Sequence, residues 1–190
     1  MLDGIHPCDV VILTQALIDG LIKSGEVVQG SDRQLGAVKT GIACKVGAPR
    51  PDVDTADSLR QSLLNATAIY VPDIQGSTAG IHFMKVLTEL GIAAQVSDRL
   101  CPEATGVAAM KALADCDNPN AIGCTQVTEI IHSAGVQVVA ELPAKYELAT
   151  VYTAGVCTAS SHPDAAAKLI ELLVRPASFN LRQQCGFVAF

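Results

Sequence analysis

The sequence has few aromatic residues. Phe and Tyr together make up 4% of its 190 residues, and Trp is absent, so stacking surfaces for nucleobases or sugar rings are scarce. The formal net charge of −6 also opposes binding to a polyanionic backbone. We therefore expect no nucleic-acid partner. A small anion is not excluded, because the local field at a helix start does not depend on net charge.

Long apolar runs and a leader sequence are also missing. No stretch approaches the roughly 18–20 apolar residues of a membrane span, and no basic-then-apolar signal sequence opens the chain. We expect no membrane insertion. The predicted location is cytoplasmic for the chain as it stands, and periplasmic if the full-length protein carries a signal peptide. Hydrophobic residues at 49% and charged residues at 17% exclude disorder and favour an α/β protein.

The seven cysteines include no Cys-x-x-Cys pair. Cys44, Cys124 and Cys157 lie in apolar, strand-like runs. This pattern predicts free buried thiols rather than disulfides, which is typical of a reducing compartment. The sequence also shows no metal-ligand spacing, P-loop, dinucleotide fingerprint or Gly-x-Ser-x-Gly motif. We expect neither a metal nor a cofactor.

Apolar strand-like runs alternate with amphipathic helical stretches along the whole chain. This order predicts an α/β fold with mixed, mostly parallel sheets. Two long apolar runs, residues 37–46 and 149–157, bracket the middle of the sequence. If both cross between lobes, residues 1–42 with 150–190 form lobe I and residues 43–149 form lobe II. Ligands of such folds bind at the carboxyl ends of the strands, in a cleft between lobes.

One strand–loop–helix segment stands out in the predicted lobe II. Residues 66–71 form an apolar run, Pro72 and a cluster of small residues end it, and an amphipathic helix follows. Ser77 or Thr78 is a natural N-cap. A small-residue loop at a helix start presents backbone N–H groups that favour an anion. An ordinary strand-to-helix turn is the alternative for this segment alone.

The order of segments resembles the type II periplasmic solute-binding fold, and within it the molybdate-binding-like family. The resemblance is carried by residues 9–14, 76–81, 121–129, 150–155 and 163–187. It implies a two-lobe fold and a small anionic ligand, an oxyanion or a carboxylate. Helix-start amides and hydroxyls would hold this ligand in a cleft between the lobes. An ABC transporter permease is the partner that the resemblance implies.

The resemblance also implies specific residues and an incomplete first lobe. Family members begin with a further strand–helix–strand–helix section, so lobe I would be incomplete here and its open sheet edge could cause self-association. The ligand-binding residues implied at matching positions are Thr14, Gly76, Ser77, Thr78, Ala79, Gly80, Gly106, Val107 and Gln126.

An enzyme remains the alternative to a binding protein. Gln126 and the Gly76–Thr78 loop resemble a branch of this family whose members are isomerases of small unsaturated acids or of ketosteroids. An aconitate-isomerase-like proton transfer would use Glu129, His82 or Tyr152 as catalytic groups. Each also has an ordinary structural role as its alternative: a cap, a helix flank or a packed ring. A domain remnant that neither binds nor catalyses is the third hypothesis, and no constellation of residues establishes an enzyme.

Overall fold

Strands and helices alternate along the chain, as the hydrophobic pattern predicts. The computed structural model describes residues 8–189. The strands are β1 (Val10–Thr14), β2 (Arg33–Lys45), β3 (Ile69–Pro72), β4 (Leu100–Glu103), β5 (Ile122–Gln126), β6 (Val136–Glu141), β7 (Ala149–Val156) and β8 (Phe187–Val188). The helices are α1 (Gln15–Ser24), α2 (Ala56–Asn65), α3 (Thr78–Glu89), α4 (Ala93–Val96), α5 (Gly106–Asp115), α6 (Val127–Ile131), α7 (Pro163–Val174) and α8 (Phe179–Gln184).

The chain divides into two compact units. Unit 1 comprises the residues up to Val38 together with those from Thr150 onward, and unit 2 comprises the residues from Lys39 to Ala149. Strand β2 passes from unit 1 into unit 2, and β7 begins just after the return.

Unit 1 is built on antiparallel pairs. Strand β1 pairs with β7 over five residues each, and β8 pairs with the first half of β2. Leu35, Ala154 and Val156 pack against Ala166 and Ile170 of α7, and these residues form the core of this unit. Pro163 is the first residue of α7, where its missing N–H costs nothing.

Unit 2 contains a mixed sheet in the order β6, β2, β5, β3, β4. The predicted mixed α/β fold is confirmed. Among the described residues of this sheet, β3 is parallel to β4 and β5, whereas β2 is antiparallel to β5 and β6. Antiparallel pairing is therefore more extensive than the strand–helix alternation suggests, because the long strand β2 runs against its neighbours.

The two faces of this sheet carry different helices. Ile69 and Val71 of β3 belong to an apolar cluster with buried residues of α2 and α3. The alternate residues Ala68 and Tyr70 pack into a second cluster with buried residues of α5 and α6. Side chains of a strand alternate between faces, so α2 and α3 cover one face and α5 and α6 cover the other.

This arrangement creates a switch in the winding of unit 2. The chain moves from β3 outward to β4 through α3, and it returns from β4 past β3 to β5 through α5. Helices on opposite faces that both start at the carboxyl ends of parallel strands leave a crevice between their first turns. No helix within the described residues combines the length and apolar character needed to span a bilayer.

Candidate functional site

The start of α3 lies at the carboxyl end of β3 and is shaped by Asp73. The Asp73 carbonyl accepts a hydrogen bond from the Ser77 N–H at 3.0 Å, and its Oδ1 accepts the Gln75 N–H at 2.9 Å. These two bonds fold residues 73–77 into a tight loop that leads directly into the helix. These hydrogen bonds within the segment set the conformation of the loop.

Ser77 is the N-cap of α3, one of the two predicted candidates. Its Oγ accepts the N–H of Gly80 at 2.9 Å, so that amide is already used. The N–H groups of Thr78 and Ala79 have no acceptor within the helix, because the first turn precedes any carbonyl four residues back. Thr78 is exposed, and Ala79 is 4% exposed. Within the predicted loop, these two amides are the donors that α3 offers to an anion.

Gly80 has a packing role that the sequence did not indicate. A Cβ at this position would lie 2.6 Å from the Pro72 carbonyl oxygen and would also overlap the Asp73 backbone. The first turn of α3 therefore rests directly on the end of β3. A Cβ at Gly76 would lie 2.7 Å from Asp73 Oδ2, a flexible carboxylate tip rather than backbone.

The start of α5 is capped in the same way, but side chains from a neighbouring segment pack against its first turn. Thr105 Oγ1 accepts the Ala108 N–H at 3.1 Å. Gly106 is buried, and a Cβ there would overlap Glu129 Oε2 and Thr125 Oγ1. The first turn of α5 therefore lies directly against these two side chains.

Glu129 is held firmly in this position. The fully buried Thr125 hydroxyl donates to Glu129 Oε2 at 2.5 Å, and Ser133 Oγ donates to the Glu129 backbone carbonyl at 2.7 Å. A carboxylate beside a helix start is stabilised by the helix dipole. The α5 start thus already has an anion beside it, the protein's own Glu129.

Gln126 ends β5 and precedes α6, next to the same edge of the sheet. It is 4% exposed and stands opposite Thr40 of β2 in the antiparallel register. Thr40 Oγ1 is buried with no hydrogen-bond partner among residues 8–189. Cys124 lies on β5, two residues before Gln126. Burial raises the pKa of its thiol well above the usual range, so this cysteine stays protonated and is a poor nucleophile.

His82 is engaged by another part of unit 2. Its Nε2 lies 2.8 Å from the Tyr146 carbonyl oxygen, in the segment that precedes β7. This contact occupies one ring nitrogen and ties α3 to that segment. His82 remains a predicted catalytic residue, but one of its nitrogens would first have to leave the carbonyl.

Val107, the second residue of α5, is exposed. Thr14 and Tyr152, the remaining predicted site residues, lie in unit 1. The register of β1 and β7 places them opposite each other. Thr14 precedes α1 without a side-chain capping bond, and the Tyr152 ring packs edge-on against Phe187 with centroids 6.4 Å apart. The neighbouring Gln15 Oε1 accepts from Thr153 Oγ1 at 2.6 Å, a polar contact that sequence reasoning missed.

No metal cluster lies at these strand ends in the part of the chain that the structure describes. No group of three or more His, Cys, Asp or Glu side chains there could hold a metal ion. A cavity of about 250 Å³ occurs at the opposite edge of unit 2, beside Ala66 and Ile122 at the amino ends of β3 and β5. One of its lining residues, Arg50, donates to the Val139 carbonyl at 2.6 Å.

Sequence comparison relates almost the whole chain to known proteins. The family model for bacterial extracellular solute-binding proteins matches residues 1–188. A curated relative, an aconitate isomerase from a Pseudomonas species, is 28% identical over 171 residues. That alignment spans 88% of this chain and 62% of the relative, so the chain covers less than two thirds of that protein's length.

Solved structures share the fold at low sequence identity. The periplasmic molybdate-binding protein of Azotobacter vinelandii superposes with a TM-score of 0.79 at 17% identity, over 98% of this chain and 80% of that one. The substrate-binding domain of a putative molybdenum ABC transporter from Clostridium difficile gives 0.71 at 20% identity, over 99% and 80%. These similarities establish the type II periplasmic-binding-protein fold that the resemblance implied.

Proposed function

This chain belongs to the family of bacterial extracellular solute-binding proteins, and we propose that it binds a small oxyanion or carboxylate at the start of α3. The observation that carries the proposal is the pair of Thr78 and Ala79 amides at the carboxyl end of β3, beside the winding switch of unit 2. Crevices at such switches are where α/β folds bind ligands.

The proposed site attracts an anion without a cationic side chain. Backbone N–H groups at a helix start carry partial positive charge, and they donate hydrogen bonds in a fixed geometry. The Ser77 cap and the Asp73 turn hold these donors in place before a ligand arrives. Such preorganisation reduces the entropy lost on binding.

The predicted ligand residues of unit 2 are proposed to contribute around this centre. Gln126 offers an amide at the end of β5. Thr14, at the end of β1 in unit 1, stays a separate predicted ligand residue. Gly106 and Val107 would donate their amides only to a ligand that tolerates the neighbouring Glu129 carboxylate. An ABC transporter permease as partner and a periplasmic location follow from the family as part of the proposal.

A thermal-shift panel tests the proposal. Molybdate, tungstate, sulfate, citrate and cis-aconitate are compared with sodium chloride at matched ionic strength. We expect at least one of these anions to raise the melting temperature at millimolar concentration, because a ligand that binds only the folded state stabilises it. Ser77→Ala should lower the affinity for that anion roughly tenfold, since the loss of the cap lets the Thr78 and Ala79 amides move.

Thr105→Ala is the matched control, because it removes the corresponding cap from α5. It should leave the affinity within about twofold while lowering stability to a similar extent. If no anion in the panel shifts the melting temperature beyond chloride, the binding proposal is wrong. If both cap variants lower the affinity for the anion equally, the ligand does not bind at the start of α3.

An isomerase is the second candidate, and Glu129 is the observation that favours it. Its carboxylate is fixed by the Thr125 hydroxyl at 2.5 Å and lies against the α5 start, as a positioned general base requires. Glu129 would take a proton from the CH2 carbon next to the double bond of a bound unsaturated acid and return it to the far carbon of that double bond, so that the double bond shifts by one position. His82, in the same unit, would assist the transfer. The 28% identical aconitate isomerase supports this candidate.

Proton NMR of cis-aconitate in deuterated buffer separates the two candidates. An isomerase should convert the acid to its trans isomer and incorporate deuterium. Glu129→Gln keeps the size of the side chain and should slow the conversion at least about 100-fold. Glu89→Gln, on the exposed end of α3, should leave the rate unchanged. If the wild type broadens the cis-aconitate signals without converting the acid, the isomerase is rejected and only the binding function is supported.

A further inference from the structure

Two cysteines in unit 1 lie in direct contact. The Sγ atoms of Cys8 and Cys157 are 3.2 Å apart, although 149 positions separate the two residues in the sequence. Cys157 is 3% exposed, and Cys8 is half-buried. The other five cysteines also carry free thiols, with no sulfur–sulfur contact of this kind among the described residues.

The backbone holds Cys157 in place from both sides. Its N–H donates to the Asp9 carbonyl at 3.0 Å, which continues the β1–β7 register by one residue. On its other side, Cys157 forms a bridge with Val27, and the next N–H, of Thr158, donates to Glu26. The Cys157 backbone is therefore held in one position, and only rotation of the side chain can move its sulfur.

Asp9, the residue next to Cys8, is held by hydrogen bonds of its side chain. Its Oδ1 accepts the Ser160 hydroxyl at 2.6 Å and the His162 N–H at 3.2 Å. These bonds join the start of β1 to the turn that follows β7. The Ser160 hydrogen bond is the main cause that lowers the pKa of Asp9 below its usual value, so the carboxylate stays ionised and keeps these bonds at neutral pH.

We propose that Cys8 and Cys157 are the site of a disulfide, formed when the protein meets an oxidant that itself carries a disulfide. The two sulfurs must approach from 3.2 Å to about 2.05 Å, a movement of roughly one ångström that side-chain rotation supplies. The expected environment agrees, because disulfides persist in extracellular proteins and the family is described as extracellular.

The oxidation proceeds by two exchanges. Cys8 is the more accessible thiol, and as a thiolate it attacks one sulfur of the oxidant, forming a mixed disulfide and releasing the first thiolate. Cys157 then gives up its proton to water and attacks Cys8 Sγ, which releases the second thiolate. The protein loses two protons and two electrons, and the oxidant's disulfide is reduced to two thiols.

Cys157 is suited to the second step rather than the first. Burial, together with the Cys8 contact, raises the pKa of the Cys157 thiol to about 12. It therefore remains protonated at neutral pH and reacts slowly with reagents in solution. Its attack becomes effective only when the mixed disulfide on Cys8 presents a sulfur at contact distance.

The experiment oxidises the purified chain with glutathione disulfide and maps its peptides without reduction. We expect a linked peptide pair containing Cys8 and Cys157, lighter than the two separate peptides by two hydrogen atoms. Oxidation should raise the melting temperature by roughly 5–10 °C, because the bond closes a long loop. Dithiothreitol should reverse both changes.

Variants make the result specific. Cys8→Ser should abolish the linked peptides and the temperature shift, whereas Cys185→Ser, which removes another half-buried thiol of unit 1, should keep both. Cys157→Ser should leave Cys8 carrying glutathione. The proposal is overturned if wild-type Cys8 accumulates as a stable glutathione adduct. It is equally overturned if both thiols still react with iodoacetamide after oxidation.

Discussion

The starts of α3 and α5 are built alike and are filled differently. Each helix follows a parallel strand of unit 2, each is capped by a hydroxyl that accepts the N–H three residues on, and each has a buried glycine in its first turn. At α3 the Thr78 and Ala79 amides have no acceptor in the helix. At α5 the Glu129 carboxylate lies against Gly106.

This difference assigns separate roles to two similar segments. The Glu129 carboxylate touches the first turn of α5 and repels a second anion there. At α3 the nearest carboxylate, that of Asp73, is exposed and accepts the Gln75 N–H in the loop before the helix, which leaves the first-turn amides to attract an anion. We therefore expect α3 to bind the ligand and α5 to position Glu129. The two glycines differ in the same way: backbone surrounds Gly80, and side chains surround Gly106.

The largest effect is expected for Gly80→Ala. The added methyl group would meet the Pro72 and Asp73 carbonyl oxygens, which cannot rotate away, so α3 must lift from β3. We expect a loss of about 2–3 kcal/mol in the free energy of unfolding, measured by chemical denaturation.

Gly20→Ala is its control in the exposed part of α1, where nothing lies within 4 Å of the new methyl group. That variant should gain about 0.5–1 kcal/mol from helix propensity. Equal changes in the free energy of unfolding for the two variants would contradict the close approach of α3 to β3.

Gly106→Ala should have an intermediate effect. Its neighbours are the tips of Glu129 and Thr125, which can rotate aside at the cost of their mutual hydrogen bond. We expect a loss of about 1–2 kcal/mol. In a Glu129→Ala background the same substitution should cost clearly less, because the clash is then partly removed. Additive losses in this double-mutant cycle would contradict the contact between Gly106 and Glu129.

The smallest stability effects are expected for the two caps. Ser77→Ala and Thr105→Ala each remove one hydrogen bond to a first-turn amide, and each should cost about 1 kcal/mol. Thermal unfolding should therefore not distinguish the two variants, although anion affinity should. A loss confined to one variant would mean that the two helix starts are not equivalent in construction.

Much of this architecture could be predicted from the sequence. Apolar runs and small-residue loops located β3 and α3, and a hydroxyl residue before apolar periodicity located the cap Ser77. Boundaries shifted where pairing rather than pattern decides them: β2 begins at Arg33, four residues before the predicted run at 37. The buried thiols Cys44, Cys124 and Cys157 were also predicted.

The unpredicted features all depend on contacts between distant residues. Gly106 touches Glu129 only because α5 and α6 pack on the same face of the sheet. The Tyr146 carbonyl reaches His82, and Cys8 reaches Cys157, for similar reasons. Local pattern contains no information on these pairs. Thr125 and Glu129 are four residues apart across a strand-to-helix turn, and this spacing is a local signal that could have suggested the hydrogen bond between their side chains.

Amide chemical shifts during an anion titration test the difference between the two helix starts most directly. The measurement uses ¹⁵N-labelled protein titrated with cis-aconitate and, separately, with molybdate, against chloride at equal ionic strength. We predict that the Thr78 and Ala79 amides move most, while Gly106 and Val107 move little. Saturable shifts at Gly106 and Val107 with none at Thr78 and Ala79 would contradict the assignment of the anion site to α3.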